Sequence, residues 1–491
     1  RATMADAPLP PEAPAETALA ALWHGAGLPA QALAWAALPG RGQVLPASFD
    51  VATAAQAGIG AAALAAAWLW HLRTGQAQQV RVDRAHATLE CQGAFTLDGH
   101  ALDLWDKLSG LYPCGNAVGQ PGWVRVHANF AHHRDIALQV LGLPTGPDVE
   151  RDAVTQALQT WAAPAFEQAV ADAGGVVAAA RSLADWDAHP QALALAGQPP
   201  VQITPLDEGR APPRHWPPVA PLPSPGTQPL SGLRVLDLTR ILAGPVAGRT
   251  LAAHGADVLL VNGPHLPNIG AIADTSRGKR STQIDLRSAS GCAQLQALAS
   301  TAHVFLQGYR PGALAARGFS PAALARQHPG IVVASLSAYG EAGPWAGRRG
   351  FDSLVQTATG LNLAEARAAG SATPRALPVQ ILDYTAGHLL AFGIQAALWR
   401  QATQGGSWQV QVTLAGVAAW LRTLGQDGAG LSAQPPAADA WMDETPCGFG
   451  PPGAGGQAVL RAMRHAAWLS ATPPRWRHPS MPPGSHPPAW P

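Results

Sequence analysis

Apolar and β-branched residues recur in short runs through the second half of the chain. Runs at Arg234–Leu238, 258–261, 303–306 and 331–336 are separated by stretches of helical spacing such as 248–253 and 291–299. Short buried strands alternating with helices predict a mostly parallel sheet covered on both faces. A long helix is expected over 385–401, stopped by Gly405 and Gly406 and followed by a strand at 408–414. The same helix-turn-strand pattern occurs earlier, where residues 53–83 lie ungapped on 383–413, so the unit is present twice. The first copy has Thr53 in the place of Asp383, with Asp50 three residues before as an offset equivalent, and reads as non-catalytic. An amphipathic helix is expected over 152–173.

Proline marks the boundaries. Residues 1–16 form a Pro/Ala lead-in expected to be disordered, and 211–229 a Pro-rich linker that cannot be helix or central strand. Between them lie a partial first copy (17–100) and a further segment (101–210). A large domain (230–425) and a Pro/Gly-rich tail (426–491), expected to fold back and close the sheet, complete the chain.

At 491 residues the chain calls for two or three domains, and 47% hydrophobic with 13% charged residues indicates a globular protein. A net charge of +1 offers nucleic acid or an anionic membrane no attraction. Cys91, Cys114, Cys292 and Cys447 stand far apart without CxxC spacing, so neither a disulfide framework nor a zinc site is indicated. The first residues lack a signal-peptide core, and the apolar run 61–70 is too short to span a bilayer. A cytoplasmic, soluble protein is expected. His127, His132 and His133 match no zinc spacing and have Asp135 as the only nearby carboxylate, so no metal is assigned.

Three segments carry candidate chemistry. PLSGLRVLDLTRILAGP (229–245) reads as a buried strand entering a turn and a helix. SRGKRSTQIDL (276–286) clusters Arg277, Lys279 and Arg280, with Gly278 permitting close backbone approach. Such groups suit phosphate, and a solvated basic turn has the same composition. VQILDYTAG (379–387) places one carboxylate, Asp383, at the start of an apolar helix, where free N–H groups favour an anion and where an ordinary N-cap also belongs.

In this order the three segments closely resemble the family III CoA-transferases, the family of formyl-CoA transferase, carnitine CoA-transferase and α-methylacyl-CoA racemase. The resemblance implies an α/β protein with a Rossmann-like, parallel-sheet CoA-binding half and a smaller α/β domain. Here the 101–210 segment resembles that smaller domain, so the halves are duplicated and permuted and one active site is expected. It implies transfer of CoA between an acyl-CoA and a carboxylic acid, with coenzyme A as substrate and no resident cofactor. Asp383 would attack the thioester to give a mixed anhydride, then an aspartyl-CoA thioester. This needs one ionised carboxylate, not a pair. Arg277, Lys279, Arg280 and Arg349 would meet phosphates, the turn at Leu242 and Ala243 would lie against CoA, and Gly340 and Gly343 would offer amides to an oxyanion. Family members are interlocked homodimers, whereas duplicated halves could satisfy that interface within one chain, so monomer and dimer both stay open.

The chain also departs from the family. Phe351 stands where racemases carry a His, and a phenyl ring cannot move a proton. VLLVNGP (258–264) has Leu260, Asn262 and Gly263 where the family has Lys, Glu and Arg, and LQGYRPG (306–312) has Gly308 in place of an Asn. A racemase or isomerase of the same family and a degenerate, non-catalytic CoA-binding protein are the alternatives.

Overall fold

The computed structural model describes residues 14–206 and 226–491. Most of the lead-in and of the Pro-rich linker lies outside the described residues. The first described element, the helix Pro14–Gly25, begins inside the expected lead-in.

Seven strands form the central sheet, numbered here along the chain: β1 (Gln202–Pro205), β2 (Arg234–Leu238), β3 (Asp257–Asn262), β4 (Arg280–Gln283), β5 (Val304–Gln307), β6 (Val332–Ser337) and β7 (Trp408–Thr413). Their order is β4-β3-β2-β5-β6-β7-β1, parallel throughout except for β1, which runs antiparallel to β7. From β2 to β7 this is the doubly wound order, in which the chain leaves β2 in one direction and later returns to its other side. Register places Val235 beside Val258 and Leu236 beside Leu259 and Phe305. Val235, Val258, Val304, Val332 and Val410 face the long helices, while Leu236, Leu259, Phe305 and Val333 face a second layer with Leu295 and Leu324. Burying each such side chain contributes roughly 1.5–3 kcal/mol.

β4 is a strand the hydrophobic pattern did not announce, because RSTQ is polar. It forms as the outermost parallel strand, with Leu259 opposite Arg280 and Val261 opposite Thr282. The C-terminal residues cover its free edge: the His486 amide donates to the Ser281 carbonyl and the Ser281 amide to His486 Nδ1.

The two repeated units are visible as structure. The helices Val51–Thr74 and Ile381–Gln404 each have 24 residues and begin two residues before Thr53 and Asp383. Each is followed by a strand and a shorter helix: Val80–Val82 and Arg84–Glu90, or β7 and Leu414–Thr423. The two long helices pack on one another, with Gln395 Nε2 donating to the Ala62 carbonyl at 2.9 Å. The first is longer than the expected apolar run and is apolar enough to cross a membrane, yet the residues of its most apolar window are all buried inside the protein. It is a core helix.

Residues of the 101–210 segment form an antiparallel sheet, Gly110–Cys114, Gly122–Val126 and Val177–Ala179, over a separate core that includes Tyr112, Val124, Leu138 and Phe166. The expected helix over 152–173 is two helices, Arg151–Leu158 and Ala163–Asp172. Pro164 explains the break, since proline is tolerated in a first turn but costs about 3 kcal/mol inside a helix. The tail also departs from expectation. Met442–Cys447 pairs with Ala458–Met463, which pairs in turn with Phe95–Leu97, and Ala467–Leu469 pairs with Val80–Val82. The central sheet is closed on the β7 side by β1 instead.

Candidate functional site

A cleft of about 620 Å³ opens at the carboxyl ends of β2, β5 and β6. β2 and β5 are the neighbours at which the strand order reverses, the place where diverging crossovers leave a crevice. Arg240 and Ile241 follow β2, Gly308 and Arg310 follow β5, and Gly340 and 348–351 follow β6. The opposite wall is Phe130, His132 and His133 of the smaller domain. Arg240, Arg310, Arg317, Arg348 and Arg349 line this space, and no carboxylate is among the described residues that do so, although Glu167, outside the lining, stands 3.9 Å from Arg348. Burial alone lowers the guanidinium pKa of Arg240, and burial with Arg310 nearby lowers that of Arg349, which is the signature of cations held without an acidic partner. Arg349 also donates to the Gly174 carbonyl at 2.7 Å. Ile241 has φ 77°, a conformation that a β-branched residue adopts only when its surroundings impose it.

The basic cluster does not reach this cleft. Lys279 Nζ donates to Asp237 Oδ2 at 2.8 Å and to the Pro245 carbonyl at 2.9 Å, with both charged side chains wholly enclosed. Arg277 is paired with Asp274, donates to the Met463 carbonyl at 3.0 Å, and lies 4.0 Å from the centre of the Trp476 ring. Arg280 is bound to Asp257 and to the Ala489 carbonyl. Each cation has a carboxylate partner, and the C-terminal segment lies over the cluster, so none is presented to a phosphate. Leu242 and Ala243 are likewise displaced. Leu242 is the N-cap residue of the helix Ala243–Ala253, and Ala243 is buried against Gly387 of the Asp383 helix. The preceding Arg240 and Ile241 line the cleft in their stead.

Of the two glycines, Gly340 lines the cleft at φ 85°, and its amide donates to Ser337 Oγ at 3.1 Å, which closes the turn. Gly343 packs on the helix Pro190–Leu195, where a Cβ would come within 2.6 Å of Ala194. The Gly340 amide is thus engaged in its own turn, and Gly343 is not among the residues that line the cleft.

Asp383 is the third residue of its helix, not the cap, and is half-buried. A second carboxylate stands beside it. Fully buried Asp352 opens the helix Asp352–Ala358, and its Oδ2 accepts the Asp383 amide at 2.8 Å while Oδ1 accepts from Gln356 Nε2. Burial pushes Asp352 up to about 6, against the pull of those donors and of Arg125. Burial and then repulsion by Asp352 hold Asp383 well above the usual carboxylate range. The expectation of a lone carboxylate is therefore corrected to a coupled pair. Phe351 joins the pair to the cleft: its ring lines the cleft and stacks on His127 at 4.0 Å, and the next residue is Asp352. Asp383 lies behind that wall.

In the first copy the corresponding place is filled. Arg84 donates to Asp50 Oδ1, Thr53 Oγ1 and Gln56 Oε1 at 3.0, 3.1 and 3.2 Å, and Asp50 caps the helix through the Thr53 amide. No group of three His, Cys, Asp or Glu among the described residues could hold a metal ion.

Residues 230–430 match the family model described as CoA-transferase family III. A probable fatty acyl-CoA transferase of Mycobacterium tuberculosis is 35% identical over 209 residues, 40% of this chain and 52% of that protein. A succinate–glutarate CoA-transferase of Agrobacterium fabrum is 33% identical over 205 residues, 38% of this chain and 51% of that protein. Among solved structures, a hypothetical protein of M. tuberculosis is 36% identical with a TM-score of 0.37, covering 41% of this chain and 57% of that one. A CaiB/BaiF family protein of Brucella suis is 26% identical with a TM-score of 0.36, covering 46% and 65%. The chain spans about half the length of the curated relatives it matches.

Proposed function

Because residues 230–430 match the family model described as CoA-transferase family III, we propose that this protein transfers CoA between an acyl-CoA donor and a carboxylic acid acceptor. The observation that carries the reading is the cleft: five arginines with no carboxylate among the described lining residues, ending at the wall behind which Asp383 and Asp352 share a site. Fork-shaped guanidiniums bind phosphate by charge-assisted hydrogen bonds, so the nucleotide part of CoA belongs on Arg240, Arg310, Arg317, Arg348 and Arg349. The thioester then lies toward Phe351 and Asp383.

In the proposed reaction the Asp383 carboxylate attacks the acyl carbon and the C–S bond breaks. CoA thiolate leaves, then reopens the anhydride at the aspartyl carbonyl and releases the first acid. The acceptor carboxylate attacks the aspartyl-CoA thioester and completes the exchange in reverse order. Asp352 holds the Asp383 amide and keeps the nucleophile's affinity for a proton high, which makes the ionised form a stronger nucleophile. The relatives named for succinate and glutarate support carboxylic acids as acceptors, in keeping with a cationic entrance.

A second reading has one observation in its favour. Asp383 stands behind the cleft wall, and the cluster 277–280 is engaged internally, as in a protein that binds CoA without turning it over. Isothermal titration with CoA tests the cleft, and hydroxylamine trapping of an acyl-enzyme with wild type and Asp383→Ala separates the readings. CoA binding without any trapped adduct favours the non-catalytic one. Phe351 speaks against racemisation on the same ground as in the sequence.

A further inference from the structure

One histidine of the smaller domain sits in the cleft with nothing to bind. His133 lies on the helix Ala131–Val140, is 5% exposed, and has no partner on Nδ1 or Nε2. It lines the cleft beside Phe351, with ring centroids 5.9 Å apart, and is walled by Phe130 at 5.6 Å and His132 at 4.0 Å. Most buried polar side chains are hydrogen-bonded, and leaving one unpaired costs on the order of 1–3 kcal/mol, so an unpaired imidazole facing a cleft calls for an explanation.

Its surroundings define what it can do. Burial, followed by His132, Arg349 and Arg240, pushes its pKa down to about 4. It is therefore neutral near pH 7, with a proton on one ring nitrogen and a lone pair on the other. The arginines are matched to phosphate, whereas a neutral N–H is matched to a softer acceptor bearing less charge. Position narrows the choice. His133 and Phe351 form the end of the cleft nearest Asp383, since Phe351 is bonded to Asp352 and Asp352 holds the Asp383 amide.

We propose that His133 contacts the substrate, its imidazole N–H donating a hydrogen bond to the sulfur of CoA as the thioester opens. The inference rests on the CoA-transferase reading. In the step concerned, the Asp383 oxygen bonds to the acyl carbon, the C–S bond breaks, and its electron pair goes to sulfur. The imidazole keeps its proton and stabilises the thiolate through the hydrogen bond, and no further reactant is consumed. The smaller domain thereby completes the site across the cleft.

The test compares wild type, His133→Phe and His133→Gln by calorimetric affinity for CoA and by the rate of hydroxylamine-trapped acyl-enzyme formation from an acyl-CoA. CoA affinity should stay within about 2-fold, while trapping slows by about 100-fold in H133F and recovers to within about 10-fold of wild type in H133Q, which keeps an N–H donor. Equal trapping rates in wild type and H133F overturn the inference alone. If wild type binds CoA but traps no acyl group, or does not bind CoA, the underlying reading fails and the inference with it. Should H133F not fold, the wild-type protein decides. With ¹⁵N-histidine label, a His133 ring resonance that shifts on adding CoA supports the contact, and one that does not overturns it.

Discussion

Lys279 and Arg310 carry the same charge in opposite circumstances, and the difference is measurable. Lys279 is wholly enclosed on Asp237, so Lys279→Met leaves a buried carboxylate unpaired and should cost about 3–5 kcal/mol of stability, read as a lower midpoint in urea unfolding. Its effect on CoA affinity, measured on folded protein, should be small. Arg310→Ala should do the reverse, weakening CoA binding by about 10-fold with the unfolding midpoint unchanged, because its side chain borders the cleft and is exposed. The basic cluster was legible as charge, but composition does not say whether a cation faces solvent or a carboxylate brought in by another strand. Asp237 and Asp257 reach Lys279 and Arg280 only once β2, β3 and β4 are side by side. Of the arginines that line the cleft, Arg349 was named from the sequence, whereas Arg240 in LTRI, Arg310 in GYRPG, Arg317 in AARG and Arg348 in GRRG were passed over, because composition does not set them apart from other arginines.

The carboxylate pair gives a prediction of defined sign. Asp383 must be ionised to attack, and burial with repulsion from Asp352 holds its proton above the usual range, so the rate of adduct formation should rise with pH through a limb displaced upward from ordinary carboxylates. Asp352→Asn removes the neighbouring charge and retains an oxygen to accept the Asp383 amide. Its acidic limb should move to lower pH. A limb that stays in place, in a pH–rate profile of the variant, contradicts coupling between the two.

Elements were more legible than contacts. β2 was read to its exact ends, and β3, β5, β6 and β7 to within a residue, because their runs are bounded by turn residues and are either largely buried or, in β7, buried at alternate positions. β4 escaped because an edge strand covered by the chain's own C-terminus needs no hydrophobic run. The helix pair depends on small residues. A Cβ on Gly387 would stand 2.5 Å from the Ala243 carbonyl oxygen and 2.8 Å from Val246 Cβ. Gly387→Val should therefore push the Asp383 helix from its neighbour, costing about 1–3 kcal/mol and slowing trapping, whereas the same change at Gly453, with open space around it and no left-handed φ, leaves the helix pair undisturbed.

At the scale of the whole molecule, segments distant in sequence hold each other in place. Glu90 of the first copy accepts the Ala466 amide and meets His465 of the tail at 3.1 Å, while Arg249 of the large domain stands 3.7 Å away. Trp476 lies over Arg277 and donates from Nε1 to the Arg249 carbonyl at 2.9 Å. Truncation after Leu469 removes that cover and bares the edge of β4. It should lower the unfolding midpoint and promote association detectable by light scattering, as unpaired strand edges do. The sequence disclosed the repeat but not the tail's destination, since scattered Trp and Pro specify no register.

The most direct test of the account is peptide mass spectrometry after incubation with a panel of acyl-CoAs and hydroxylamine. The account predicts a CoA thioester or hydroxamate on the peptide that contains Asp383, lost in Asp383→Ala while CoA binding persists. An adduct that survives in Asp383→Ala, or none at all from a wild-type protein that binds CoA, contradicts it.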